Sequence, residues 1–332
     1  MLQLLRKIAF PFSLVYALVV HIRNFFYNTG VMKSKSYQTP TVCVGNLSVG
    51  GTGKTPMIEY LVRLLKGHKI AVLSRGYKRK SKGFLVADTN SDVLDLGDEP
   101  YQLHQKFPEI TVAVDADRRN GITQLENTVK PEIILLDDAF QHRRVKPDFS
   151  ILLTAYGQLY ADDWYLPTGN LRDAKREAKR ANIIIVTKCP VLLSEEEQRA
   201  IIDRLKPLPH QKVLFSKLEY DQLLKGGKVE NLDFSAIKAK KMALVTGIAS
   251  PEPLVNYLKS LGLVFTHFAF GDHHNFSEKD VQQFKDHELI LTTEKDYVRL
   301  KGMVKNLFYV EIAHSFSAED KVFLEKTIKS LV

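Results

Sequence analysis

Residues 45–56 read Gly-Asn-Leu-Ser-Val-Gly-Gly-Thr-Gly-Lys-Thr-Pro, and this spacing of glycines, a lysine and a hydroxyl suits the handling of phosphate. Backbone N–H groups of such a loop, with the helix N-terminus that follows, form a cradle for anionic oxygens. Gly50, Gly51 and Gly53 let the backbone close on the phosphates. Lys54 is placed to reach β- and γ-phosphate oxygens, and the Thr55 hydroxyl to take Mg²⁺. Ser48, Val49 and Thr52 complete the expected nucleotide loop. The strict pattern has glycine five positions before Gly53. Ser48 stands there, so the loop is a variant.

Ile133-Ile-Leu-Leu-Asp-Asp is an apolar strand ending in two carboxylates. Asp137 and Asp138 are expected beside the loop, holding Mg²⁺ directly or through water. Leu96-Gly-Asp-Glu-Pro places Asp98 and Glu99 at what reads as a glycine–proline turn. Phe140-Gln-His-Arg-Arg follows the carboxylate pair, and Gly271-Asp-His-His-Asn-Phe follows an apolar strand much later in the chain. Transfer to an alcohol needs a base at the acceptor oxygen and cations for the developing charge, and an Asp held by a His can serve as that base. Adjacent residues rarely face one site, so His273 and His274 do not read as a metal pair. Ile184-Ile-Val-Thr-Lys-Cys-Pro is similar to the strand that reads guanine as Asn-Lys-x-Asp. Thr187 replaces the Asn and Pro190 the Asp, which favours ATP over GTP.

These residues need elements to position them. Thr41–Val44 is a short strand, and Pro56–Gly67 carries Met57, Tyr60, Leu61, Leu64 and Leu65 at helical spacing. Strand, loop and helix is the context a phosphate loop requires. Further strands are predicted at Lys69–Ser74, Phe84–Ala87, Glu109–Val114, Glu132–Leu136, Phe149–Thr154 and Asn182–Thr187. Near-continuous apolar strands alternating with helices imply a parallel sheet buried on both faces. A polar, glycine-containing stretch, 223–231, reads as a turn or linker. Beyond it come strands at Lys241–Thr246, Val264–Ala269, Glu288–Thr293 and Asn306–Ile312, with helices at Pro253–Leu261 and Ser277–Phe284. The expected fold is α/β: a P-loop NTPase-like parallel-sheet domain over 28–215, a linker over 216–241, and a second, smaller α/β domain over 242–332.

The 332 residues carry a net charge of +9. No Asp or Glu precedes Glu59, while Arg6, Lys7, Arg23, Lys33, Lys35 and Lys54 do. A basic, acid-free leader suits an anionic partner, a phospholipid surface or nucleic acid. Its apolar run Ile8–Val20 covers roughly 20 Å as a helix, short of the roughly 30 Å hydrocarbon core. Basic residues at both ends would anchor it to anionic headgroups. The reading for 1–27 is a membrane-surface helix; a buried or partner-docking helix and a true span are the alternatives. His21-Ile-Arg-Asn-Phe-Phe is no secretory cleavage site. No nucleic-acid-binding signature stands out. Cys43 and Cys189 sit in or beside apolar runs and read as core residues in a reducing compartment.

Taken together, the motifs resemble the tetraacyldisaccharide 4′-kinases, the lipid A 4′-kinases of Gram-negative bacteria. The resemblance spans nearly the whole chain. It rests on the apolar leader, Val44-Gly-Asn-Leu-Ser-Val-Gly-Gly-Thr-Gly-Lys-Thr-Pro, Ser74-Arg-Gly-Tyr, Gly97-Asp-Glu-Pro, Asp117-Arg, Leu136-Asp-Asp-Ala-Phe-Gln-His, Leu166-Pro-x-Gly-x-Leu-Arg, Gly247-Ile-Ala-x-Pro, Asp272-His-His and Thr293-Glu-Lys-Asp, in the family's order. It implies transfer of the ATP γ-phosphate to the 4′-hydroxyl of an acylated glucosamine disaccharide 1-phosphate, giving lipid IVA in lipid A (lipopolysaccharide) biosynthesis, by a monomer at the cytoplasmic face of the inner membrane. It further implies Asp98 as base oriented by His273, and Lys54 and Arg172 on the transferring phosphoryl group. Thr55, Asp137 and Asp138 would hold Mg²⁺ with Glu99 nearby, and Asn46, Arg118, Gln141 and His142 would contact the acceptor. Two residues depart from the family's usual pattern, Ala139 for Gly and Asp173 for Glu. The loop alone is also similar to that of the partitioning and metal-insertion ATPases, a binding machine as the alternative function. Val49 stands where those have an extra lysine, which argues against them. A soluble small-molecule kinase, with the leader as core, is a further rival.

Overall fold

The computed structural model describes residues 6, 8–227 and 232–332. Their strands are β1 (Thr41–Asn46), β2 (Ile70–Ser74), β3 (Leu85–Val86), β4 (Thr111–Val114), β5 (Ile133–Asp137), β6 (Phe149–Ala155), β7 (Ile183–Thr187), β8 (Lys212–Lys225), β9 (Leu232–Asp233), β10 (Met242–Thr246), β11 (Phe265–Ala269), β12 (Leu289–Thr293) and β13 (Leu307–Phe316). The helices are α1 (Phe10–Asn28), α2 (Lys54–Leu64), α3 (Val93–Leu96), α4 (Asp98–Lys106), α5 (Arg118–Thr128), α6 (Glu195–Leu205), α7 (Glu252–Ser260), α8 (Glu278–Gln282), α9 (Glu294–Leu300) and α10 (Ala318–Lys329).

All the strands belong to one sheet, in the order β11-β10-β12-β13-β8-β7-β6-β1-β5-β2-β4-β3, with β9 beside β8. The β1 strand lies between β5 and β6, parallel to both and buried at every position. An all-apolar strand is stable only with both faces covered. Two clusters cover them, one around Leu47, Leu73, Ile122 and Phe140, the other around Met57, Leu61, Leu103 and Leu153. The far half, β10 to β13, has its own cores around Leu244, Leu258 and Phe308 and around Val245, Phe284 and Leu300.

The stretch expected to be a linker from 216 begins as strand. From Lys212 the β8 strand pairs in parallel with β7, and from Ser216 to Lys225 it pairs antiparallel with β13. Sheet pairing on a second partner carries the extended chain past 215 and joins the halves through backbone hydrogen bonds. Of the remainder of that stretch, 228–231 lie outside the described residues. Beside the seam, four elements meet at a buried ion cluster. Lys106 Nζ of α4 lies 2.5 Å from Glu59 of α2, 2.7 Å from Glu294 of α9 and 2.7 Å from Glu311 of β13.

The α1 helix carries Pro11 in its first turn, where a missing N–H costs nothing. Its polarity is inverted. The buried positions include Ser13 and Asn24, while Phe12, Val15, Leu18, Val19 and Phe25 are more than half exposed. The polar residues bind the protein: Ser13 Oγ donates to Thr168 Oγ1 at 2.7 Å and Asn24 Nδ2 to Asp173 Oδ1 at 2.7 Å. The alternative of a buried core helix therefore fails, because a core helix would turn the apolar side inward. Among the described residues no helix is long and apolar enough to cross a membrane; residues 1–5 and 7 of the leader lie outside them.

Candidate active site

The phosphate loop is held open by contacts on each side. Gly50 and Gly53 have φ of +118° and +86°, the left-handed region that glycine enters without strain. A Cβ on Gly53 would lie 3.0 Å from His314 Nε2. Ser48 Oγ donates to Asp163 Oδ2 at 2.9 Å, and Val49 N–H donates to Asn170 O at 2.7 Å. The serine that replaces the strict glycine thus stitches the loop to segment 163–172, which packs on α1. Asn46 Nδ2 donates to Thr52 Oγ1 at 3.0 Å, and Thr187 Oγ1 to Thr52 O at 2.9 Å. From β13, His314 Nε2 lies 2.9 Å from the Gly53 carbonyl and Nδ1 2.8 Å from Ser216 Oγ. Nε2 must therefore donate and Nδ1 accept. Burial pushes the His314 pKa down to about 4, which keeps the ring neutral.

The carboxylate pair faces this loop. Asp138 leaves β5 with φ of +46°, unusual for a non-glycine residue. Its carboxylate pairs with the Arg172 guanidinium through two contacts, one of them Nη1 to Oδ2 at 3.0 Å, and lies 3.9 Å from Lys54 Nζ. Burial works to raise the Asp138 pKa, but Lys54, Arg172 and Arg118 outweigh it and hold it below the ordinary range. Asp137 accepts from Ser74 Oγ at 3.1 Å. Burial first, then the Asp138 charge, push its pKa up to about 6, and Glu99 adds in the same direction. Oxygen donors crowded until one resists ionising are what a hard divalent cation relieves, so this donor set fits Mg²⁺.

A second centre stands at Asp98. The turn expected there is instead the start of α4, because Gly97 at φ of +88° caps the helix. No larger residue fits, since a Cβ would lie 2.7 Å from Tyr77 O. The Asp98 carboxylate meets His273 Nδ1 at 2.8 Å and Arg299 Nε at 2.8 Å, with Arg299 Nη2 as a further donor. Burial works to raise the Asp98 pKa, yet the Arg299 hydrogen bond and charge, then His273, carry it below the ordinary range. Glu99 sits 3.5 Å from Lys295 Nζ.

The remaining expected acceptor residues line the loop between β5 and β6 and the start of α5. Gln141 Nε2 donates to Asn46 O at 2.6 Å, and its carbonyl accepts from Arg23 Nη2 at 2.8 Å. Burial, then the Arg118 charge, push the His142 pKa down to about 4. His142 Nε2 and Arg172 Nε are buried with no hydrogen-bond partner among the described residues, and His142 Nε2 lies 3.6 Å from the Asp117 carboxylate. Arg118 is 3% exposed and donates to the carbonyls of Asp137 at 3.3 Å and Asp115 at 3.3 Å. It braces the carboxylate turn from beneath.

The sequence profile of the LpxK family, tetraacyldisaccharide-1-P 4′-kinase, matches residues 5–331. The chain belongs to this family. A tetraacyldisaccharide 4′-kinase of Flavobacterium johnsoniae is 52% identical over 322 residues, covering 95% of this chain and 94% of its own. That of Bacteroides thetaiotaomicron is 46% identical over 316 residues, covering 89% and 83%. The crystal structure of Aquifex aeolicus LpxK in complex with ATP superposes with a TM-score of 0.80 at 31% identity, covering 98% of this chain and 99% of that one.

Membership in the 4′-kinase family leaves several of this chain's own residues to be found in three dimensions. Arg299 and Lys295 grip the Asp98 centre, and sequence reasoning gave neither a role. Lys295 lies inside the quoted Thr293-Glu-Lys-Asp motif, and Arg299 is four residues on, one turn along the same helical face. That spacing was the available signal. His314 and Ser216 carried none, since only strand pairing brings them to the loop. Of the two departures from the family pattern, Ala139 is buried in the core cluster. Asp173 is fully buried and receives Asn24 of α1, with Arg23 at 3.7 Å and Arg180 at 3.9 Å.

Proposed function

We propose that the chain transfers the γ-phosphate of ATP to the 4′-hydroxyl of an acylated glucosamine disaccharide 1-phosphate, acting as a monomer at the cytoplasmic face of the inner membrane. The observation that carries the reading is the pairing of Asp98 with His273 across the two halves, beside a phosphate loop. A nucleotide switch needs the loop but has no use for a braced carboxylate beyond it.

Residues 48–55 wrap the phosphates, and Lys54 and Arg172 gather the charge that spreads over the equatorial oxygens during transfer. Thr55, Asp137 and Asp138, with Glu99 nearby, would hold Mg²⁺. When bound, the ion neutralises charge on the β- and γ-phosphates. Arg172 has to share or release Asp138 as the phosphates arrive. Asp98 takes the proton of the 4′-hydroxyl as that oxygen attacks. A depressed pKa makes Asp98 a weak base in the resting state, so proton transfer comes late, once the oxygen has begun to bond to phosphorus. Asn46, Gln141 and His142 face the acceptor, and Arg118 fixes the turn behind them.

The inverted polarity of α1 supports membrane contact. Among the described residues its apolar side, Phe12, Val15, Leu18, Val19 and Phe25, is more than half exposed, the pattern of an interfacial helix.

Radiolabelled ATP turnover with and without the acylated disaccharide tests the reading. The expected result is label in the lipid and little free phosphate. Equal ATP consumption in both arms with no labelled lipid would sink it.

A further inference from the structure

His273 touches more than Asp98. Its ring meets Asp98 from α4, Asp272 from its own loop, Lys295 and Arg299 from α9, and the Tyr77 ring at 5.7 Å, while Glu99 of α4 lies against Lys295. Lys295 Nζ lies 2.9 Å from His273 Nε2. An ammonium group can only donate, so Nε2 must present its lone pair. The proton of the neutral ring then sits on Nδ1, where it is donated to Asp98 Oδ2 at 2.8 Å. In the opposite tautomer the Nδ1 lone pair would face a carboxylate and an Nε2–H would face an ammonium. An imidazolium would place a second N–H against Lys295 at the same distance. Asp272 Oδ2, the one carboxylate near Nε2 among the described residues, is 4.0 Å away and also lies beside Lys295, Nζ to Oδ1 at 3.5 Å. Arg299 Nη2, 3.1 Å from Nδ1, is a second donor facing a donor and does not bond to it.

We propose that Lys295 is a positioning residue for the reaction: its ammonium fixes His273 as the neutral Nδ1–H tautomer, so that the ring donates to Asp98 and holds its carboxylate toward the acceptor. Which ring nitrogen carries the proton is set by the hydrogen bond the other nitrogen makes, and here Lys295 makes it. Glu99 and Asp272 in turn hold Lys295, at 3.5 Å each. The catalytic part rests on Asp98 as the base; the tautomer assignment does not, since it is read from the resting protein.

The test is ¹⁵N NMR of the imidazole nitrogens in the full-length protein without acceptor, with His273→Gln to assign the signal. The native protein is expected to show the Nδ1–H form. Lys295→Met is expected to lose it in favour of Nε2–H or the imidazolium, and turnover to fall about ten- to a hundredfold. The KM for ATP is expected to stay within about twofold, because Lys295 lies at the Asp98 centre and not at the nucleotide loop. Lys295→Arg, which keeps a donor there, is expected to restore both the tautomer and most of the turnover. An unchanged His273 signal in Lys295→Met overturns the proposal, even where turnover falls, because the loss would then be structural. A changed tautomer with native turnover overturns the catalytic role. Full activity in Asp98→Ala refutes the base reading instead, and leaves the spectrum as it stands.

Discussion

At the phosphate loop, a few contiguous residues between β1 and α2 supply nearly every group proposed to meet the nucleotide. At Asp98, one carboxylate on α4 is held by a histidine 175 residues further on and an arginine 201 residues further on. The first region is pre-formed by local backbone geometry, with Gly50 and Gly53 in conformations only glycine adopts freely. The second depends on how the far half of the sheet packs against the near half. The proposed acceptor side is thus split across the seam, so its geometry depends on the packing of the two halves.

The largest expected effect is at the loop. Lys54→Ala should lower kcat/KM by about 10³ or more, since it removes charge from the transferring group, and should also weaken ATP binding; steady-state kinetics and nucleotide titration read both. Asp98→Ala and His273→Ala should each lower turnover by about 10²–10⁴ with smaller effects on ATP affinity. If Asp98→Ala weakened ATP binding as much as Lys54→Ala does, the separation of the two regions would break.

The seam itself can be attacked without touching either region. Lys106→Met leaves Glu59, Glu294 and Glu311 as buried carboxylates without their shared ammonium. Arg63 still reaches Glu59 and Glu311 and Lys225 still reaches Glu311, so Glu294 alone loses its cation, at a cost no larger than that of a broken buried pair, about 3–5 kcal/mol. Urea unfolding should show that loss, and Asp98-dependent turnover should fall further than nucleotide binding.

His314 sharpens the comparison from the other side, because it ties the loop to β13. Its folded pKa, about 4, lies below the unfolded value of about 6.5. A depressed histidine contributes stability that is complete above about pH 6.5 and disappears as pH falls toward 4, by at most about 3 kcal/mol. His314→Gln should flatten that acid limb in thermal melts across this window; an unchanged limb would remove His314 from the account.

The smallest effect on chemistry is expected at α1. Deleting residues 1–27 should weaken sedimentation with anionic vesicles. A truncated protein that pelleted as fully as the native one would contradict membrane contact.

The loop was legible because its chemistry is local. Each conformation is written in the residue that adopts it, and strand, loop and helix follow one another in the chain. The same holds for the apolar strands, nearly all of which fall where their runs of Val, Ile and Leu place them. The start of α4 was missed, since Gly-Asp-Glu-Pro reads as a turn unless Gly97 is seen to cap a helix. The β8 strand was missed altogether for a related reason: whether a half-polar stretch is linker or strand depends on the partners that pair with it, here β7 and β13.

The sequence by itself determined the phosphate-loop motif, the carboxylate pair at the end of β5 and the family, because each depends on residue type at short spacing. Only the tertiary structure decided that Arg299 and Lys295 grip the Asp98 centre, that Ser48 ties the loop to the segment under α1, and that α1 turns its polar side inward. Those are contacts between residues far apart in the chain. Their existence depends on how the two halves of the sheet meet, and no local spacing records it.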